Sequence, residues 1–135
     1  MTMASVHGKN TYISINAVDI SAYCNTSEFT RGADVHDITG YGKNDHVFVG
    51  GLGNATFNCG GWYDNTTSGP RDNLEPLIGT NVTLIRRVEG TGSGRPQDSV
   101  DIVVTSYVET SPVADVVTWS LEAQCSDAVT STNQA

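Results

Sequence analysis

Few residues in this chain have the chemistry of a catalyst, and they are scattered. The histidines are His7, His36 and His46, the side chains that titrate nearest neutral pH. His36 has Asp34, Asp37 and Asp45 close by in sequence, a set able to hold an ion or to run acid–base chemistry. Solvated polar side chains of a loop account for the same residues, so ion binding at His36 stays open. No serine occupies a Gly-x-Ser-x-Gly turn, and no cysteine has a histidine at motif spacing. Gly90, Gly92 and Gly94 imitate a phosphate cradle, but neither a Lys-Ser/Thr pair nor a helix follows. They read as a mobile hairpin tip. Cys24, Cys59 and Cys125 contain no close-spaced pair, which argues against a zinc knuckle or a secreted disulfide framework. They read as reduced, largely buried small side chains. The expectation is a protein that is not an enzyme, with no cofactor and no metal. Sugar stacking on Trp62 and Tyr63 is the alternative from another class.

The elements that position these residues are strands. The chain has 135 residues, enough for one domain over 1–135, with 14 glycines and 38 % hydrophobic content. Its ends, about 1–8 and 127–135, are expected to be loose. The net charge of −8 disfavours a free polyanion binder, because phosphate affinity rests on clustered Lys and Arg. No apolar run reaches the roughly 20 residues that span a bilayer, and no basic-then-apolar leader opens the chain. Cytoplasmic synthesis of a soluble protein is therefore expected, starting at Met1 or Met3. The sequons at Asn25, Asn54, Asn65 and Asn81 read as chance matches.

The clearest pattern lies between Val113 and Cys125. Val117, Trp119, Leu121, Ala123 and Cys125 share one face, and Thr118, Ser120, Glu122 and Gln124 share the other. The preceding strand, Asp98 to Thr110, places Val100, Ile102, Val104, Ser106 and Val108 together. Ser111 to Asp115, with Pro112, supplies the turn between them. From Pro96 onward there is no Lys or Arg, as suits a surface that must not hold nucleic acid. Tyr12 to Asn16 reads as a strand with Ile13 and Ile15 inward, followed by a turn over Asp19 to Ala22. Thr26 to Thr39 is polar and could be an extended arm or an outer strand. Glycines isolate His46 to Val49 as a short strand, and Ala55 to Tyr63 is another. Ser68-Gly69-Pro70 opens the single helix candidate, about Pro70 to Ile78, which Pro76 shortens or kinks. Asn81 to Val88 makes one more strand.

The order of these parts resembles the tail tube (major tail) proteins of long, non-contractile-tailed bacteriophages, of the kind found in phages of actinobacteria. Three stretches carry the resemblance. The first is DISAYCNTSEFTRGADVHDITGYGKNDHVFVGGLGNATFNCGGWYDN, Asp19 to Asn65, whose polar arm ends in Asp-x-Thr-x-x-Gly at Asp37, Thr39 and Gly42 before Gly51-Leu52 opens a strand. The second is DNLEPLIG, Asp72 to Gly79. The third is VTSYVETSPVADVVTWSLEAQCSDAVTST, Val104 to Thr132, similar to the family's closing hairpin. The chain departs from the pattern at Ser126-Asp127, where many relatives place glycine, and in its shortness.

The resemblance implies a mainly β fold, a sandwich or barrel of the tail tube type with one short flanking helix. It implies a structural virion protein whose hexameric rings stack into a tube with an acidic lumen for DNA ejection. Partners would be further copies of itself and the tape-measure, tail-tip and tail-terminator proteins. DNA would be met only in transit, and no membrane is involved. The location would be the virion tail, after assembly in the host cytoplasm. Thr118, Ser120, Glu122 and Gln124 would face the lumen. Glu28, Arg31, Asp34, Asp37, Lys43 and Asp45 of the arm, with Gly92 and Arg95 of the tip, would make ring-to-ring contacts, flexible when free. A capsid decoration or tail-terminator protein, or the tube of a contractile system, shares the same acidic β character.

Overall fold

The computed structural model describes residues 5–64 and 69–135. The Asn65 sequon, Ser68 and both candidate start methionines lie outside the described residues. Strands β1 (Tyr12–Ile15) and β2 (Val18–Asp19) form a tight hairpin. Its two turn residues, Asn16 and Ala17, have φ of 54° and 64°, the left-handed geometry that a two-residue turn demands. Then come β3 (Thr26–Asp37), β4 (Phe48–Trp62), helix α1 (Pro70–Leu74), β5 (Asn81–Arg87), β6 (Pro96–Thr110) and β7 (Thr118–Asn133). All the strand pairs are antiparallel, in the order β2-β1-β5-β6-β7-β4-β3.

The expected sandwich or barrel with one flanking helix is thus built from a single sheet rolled on itself. The segment after β2 ties its distant parts together. Ser21 Oγ accepts from the Ile13 amide at 2.8 Å and donates to the Ile13 carbonyl, while the Asn25 amide donates to Gly60 O at 3.0 Å. Inside the roll, Ile13 and Ile15 of β1, Phe57 of β4, Leu84 of β5, Ile102 of β6 and Leu121 of β7 are all buried. Leu74 of α1 plugs the same core. A 3₁₀ turn, Glu75–Leu77, follows α1 because Pro76 has no amide to continue it, and Gly79 leaves with φ 80°.

Four sequence expectations change. The two strands placed at His46 to Val49 and Ala55 to Tyr63 are one, since β4 runs unbroken through Gly50, Gly51 and Gly53. These glycines sit opposite β3, and a Cβ at Gly51 would lie 2.7 Å from His36 Nε2. The alternation of β6 inverts at a register shift between Val104 and Ser106, so Tyr107 turns inward to stack on Trp119 and Val108 is exposed. β7 begins at Thr118, later than its pattern suggested, leaving Val113 and Val116 exposed in the connection. The tail expected to be loose pairs instead with the start of β6, Ser131 opposite Asp98 and Asn133 opposite Pro96. Backbone pairing at the margin of a sheet needs no apolar side chains, so polar composition hides it.

Candidate functional site

Three surfaces carry the sequence-predicted residues, and the sheet decides which of them meet. On β7, Ser120, Glu122 and Gln124 are exposed and Thr118 is half-buried, alternating with buried Trp119, Leu121 and Ala123. Directly paired residues of neighbouring antiparallel strands share a face. Asn58 of β4 pairs with Glu122 on one side and with Glu28 of β3 on the other, giving the rung Glu28–Asn58–Glu122. The flanking rungs are Thr30–Thr56–Gln124 and Thr26–Gly60–Ser120. None of these positions is Lys or Arg. Glu28, assigned from sequence to the arm, therefore belongs to the same face as Glu122. The two carboxylates stand two strands apart, roughly 10 Å, too far for one small cation to bridge. Gln124 Nε2 donates to Ala55 O at 2.8 Å, and Thr105 Oγ1 donates to Glu122 O at 3.0 Å.

The second surface is the far part of the β3–β4 hairpin. β4 pairs with β7 only over Thr56–Trp62, so Phe48–Ala55 and the facing half of β3 project as a two-stranded ribbon. Asp37 organises its end. Asp37 Oδ1 accepts from the Thr39 amide and hydroxyl, Oδ2 lies 3.1 Å from His46 Nδ1, and Thr39 Oγ1 accepts from the Val47 amide at 2.8 Å. The Thr39 hydroxyl, then its amide, hold the Asp37 carboxyl below its ordinary range. Asp34, Lys43 and Asp45 are exposed on this ribbon. Arg31 turns back to its base, with Nη1 donating to Ser131 Oγ at 3.1 Å, and that hydroxyl donates to Asp98.

The ion cluster considered around His36 does not assemble. Among the described residues no group of three His, Cys, Asp or Glu side chains comes together to hold a metal. His36 covers Gly51, and Asp37 engages His46 instead. Sequence reasoning also missed the ribbon's apolar surface. Val35, Ile38, Tyr41, Phe48 and Leu52 are each more than half exposed, a concentration that marks a contact surface. The signal was present in the residue types, but glycines and charges between them masked it.

The third surface, the tip between β5 and β6, is tied down by hydrogen bonds. Gln134 accepts from the Gly92 amide through Oε1 and donates to Gly90 O through Nε2, while its carbonyl accepts from the Gly94 amide. Arg95 Nη1 donates to Glu89 O at 3.1 Å. Gly90 has φ 87° and packs so closely on Asn10 that a Cβ would lie 2.6 Å from its carbonyl oxygen. Trp62 is 53 % exposed, but Tyr63 beside it is half-buried, so the two rings are not equally open to a stacking ligand.

No protein-family profile and no curated protein matches this chain by sequence. Its fold matches solved structures closely. A chain in the virion of a native gene transfer agent particle superposes with a TM-score of 0.76 at 14% identity, over 95% of this chain and 99% of that one. A chain in the tail of the empty gene transfer agent particle, refined with helical and C6 symmetry, gives 0.77 at 12% identity over 95% and 99%. The SPP1 tail tube gives 0.75 at 11% identity, over 96% of this chain and 80% of that one. The sheath–tube complex of an extracellular contractile injection system, PVC, gives 0.66 at 13% identity over 96% and 92%. The chain has the fold of these tube and tail proteins.

Proposed function

We propose that this chain is the structural subunit of a virion tail tube, of the long, non-contractile type that the sequence resembles among actinobacterial phages. The observation that carries the reading is the match, over nearly the whole length of both chains, to a tail subunit arranged with C6 symmetry. Six copies would form a ring, and stacked rings a tube. Partners are other copies of the chain, then the tape-measure, tail-tip and tail-terminator proteins. DNA passes through during ejection.

Two unpaired edges of the sheet support a ring. The outer side of β3 is a 12-residue edge with no neighbour within the described chain. Pairing of β6 to β5 stops at Val103, which leaves the stretch Ser106–Thr110 open on the side away from β7. Exposed edges of this length template association, and pairing one edge with the other around a ring removes both. The face bearing Glu28, Asn58 and Glu122 would then line the bore. An uncharged-to-acidic wall repels phosphates and offers DNA no adhesive contacts. The β3–β4 ribbon, with Asp34, Asp37, Lys43 and Asp45 beside its apolar residues, would reach the next ring. Gly92 and Arg95 of the hydrogen-bonded tip would make a second contact.

Electron microscopy of the purified protein tests the reading. Hollow tubes or six-fold rings are expected. A stable monomer that binds polysaccharide, or a trimer that decorates without polymerising, would overturn it. The contractile-tube variant of the same role draws on the PVC match and is separated by whether the tube surface recruits a sheath protein.

A further inference from the structure

The base of the projecting hairpin contains two sulfurs that sequence spacing gave no reason to join. Cys24 follows the 3₁₀ turn Ser21–Tyr23, and Cys59 lies on β4. The Asn25 amide donates to Gly60 O at 3.0 Å, which lays residues 23–25 along residues 59–61. Gly61 makes the approach possible: a Cβ there would collide with the Tyr23 carbonyl and lie 3.1 Å from Cys24 Cα. Cys59 is buried in the core and Cys24 packs half-buried against the same cluster. The Cys24 side chain is the first cause of the upward shift of the Cys59 thiol, as expected of close neighbours.

We infer that Cys24 and Cys59 are a disulfide-forming pair, reduced in a thiol-rich compartment and closed by a low-molecular-weight disulfide outside it. Cys24, the more accessible sulfur, attacks the small disulfide as its thiolate and expels one small thiol, leaving a mixed disulfide on Cys24. Cys59 then gives its proton to solvent and attacks the Cys24 sulfur, expelling the second small thiol. Two protein thiols and one small disulfide become one protein disulfide and two small thiols. Contact with Cys24, burial, and the Cys24 charge all push the Cys59 thiol up, so the second step is slow at neutral pH and faster in base. Capping Cys24 removes its charge and so eases that step. Cys125 is outside this pair. Leu121 stands opposite Cys59, and Cys125 is four residues further along β7, roughly 13 Å away.

The bond would close residues 24–59 into a loop that contains the whole β3–β4 ribbon. A cross-link there constrains the unfolded chain and keeps the ribbon's two strands joined at their root. Free thiols would be counted, and peptides mapped by mass spectrometry, after incubation with excess oxidised glutathione at alkaline pH. Free thiols should fall from three to one, with a Cys24–Cys59 peptide and a melting temperature raised by roughly 5–15 °C. Dithiothreitol should reverse the shift. The Cys125→Ser variant should fall from two thiols to none and give the same shift. Three persisting thiols, a permanent glutathione adduct on Cys24, or a link to Cys125 would each overturn the inference. Peptide mapping uses the unaltered chain, so the test survives even if Cys59→Ser does not fold.

Discussion

Gly61 shows how much of this fold turns on single atoms. Its missing side chain lets the Tyr23 carbonyl and Cys24 rest directly on β4, and a Cβ at Gly60 beside it would lie 2.7 Å from the Trp119 carbonyl oxygen. Gly61→Ala drives a methyl group into backbone, which no rotamer change relieves. It should cost about 2–4 kcal/mol in denaturant unfolding, whereas Gly40→Ala, with nothing within 4 Å, should change stability by less than about 0.5 kcal/mol. An equal cost at both positions would refute the close approach. Asp37 gives a pH signature of known sign. Its carboxyl is held below the ordinary 3.8 by Thr39 in the folded ribbon, so the open form takes up a proton first. The contribution is complete above pH 3.8 and is lost as pH falls through the folded-state value. Protection of the Thr39 and Val47 amides, relative to their intrinsic exchange rates, should fall over that acid window and lose the dependence in Asp37→Asn. Asp127 offers a third case. The resemblance expects glycine at Ser126-Asp127, and Asp127 has φ 70°, with Oδ1 accepting from the Ala128 amide at 2.8 Å. An aspartate tolerates this left-handed geometry by bonding locally.

At the scale of elements, the β3–β4 ribbon can be removed without touching the core. Residues 31–54 contribute no buried side chain, and the barrel-side pairing of β4 with β7 begins at Thr56. Replacing them with a short turn should leave a cooperative melting transition and abolish tube growth, leaving single rings or monomers by light scattering and microscopy. Tubes of normal length from the shortened chain would remove the ribbon from the assembly. The legibility of the other elements follows from what each one needs. β7 was readable because one face is dry and the other wet, so its residue types alternate. α1 was readable through Pro70, Pro76 and Gly79, whose backbone limits are local. Glycine reads as a break and so divides β4 in the sequence, yet in the fold it makes room for His36 across the ladder. The second half of β6 reads with its faces exchanged because a bulge shifts phase without any composition signal. The Gln134 tether of the tip and the Glu28–Glu122 rung join residues far apart in sequence, and only strand order brings them together.

The whole molecule carries its charge in a way that only assembly would exploit. The chain has a net charge of −8, and on the rungs that join β3, β4 and β7 the charged residues are Glu28 and Glu122. In a monomer these carboxylates are two surface groups among many, each screened within about 8 Å at physiological salt. In a closed ring the same rung would repeat six times around one bore, and every ring would add another circle of acid. A passing duplex would then meet repulsion at each level and adhesion at none. Glu28→Lys with Glu122→Lys tests this at the scale where it acts. Each substitution adds two positive units, taking the chain from −8 to −4. Neither side chain is buried, so rings and tubes should form as before. The altered tubes should retain double-stranded DNA, with log affinity falling against log salt by about 0.9 for each phosphate contacted. Virions carrying them should eject more slowly at low salt and recover as salt rises. DNA that passes the doubly substituted tube at the unaltered rate, at every ionic strength, would mean that this face looks outward and that another surface lines the channel.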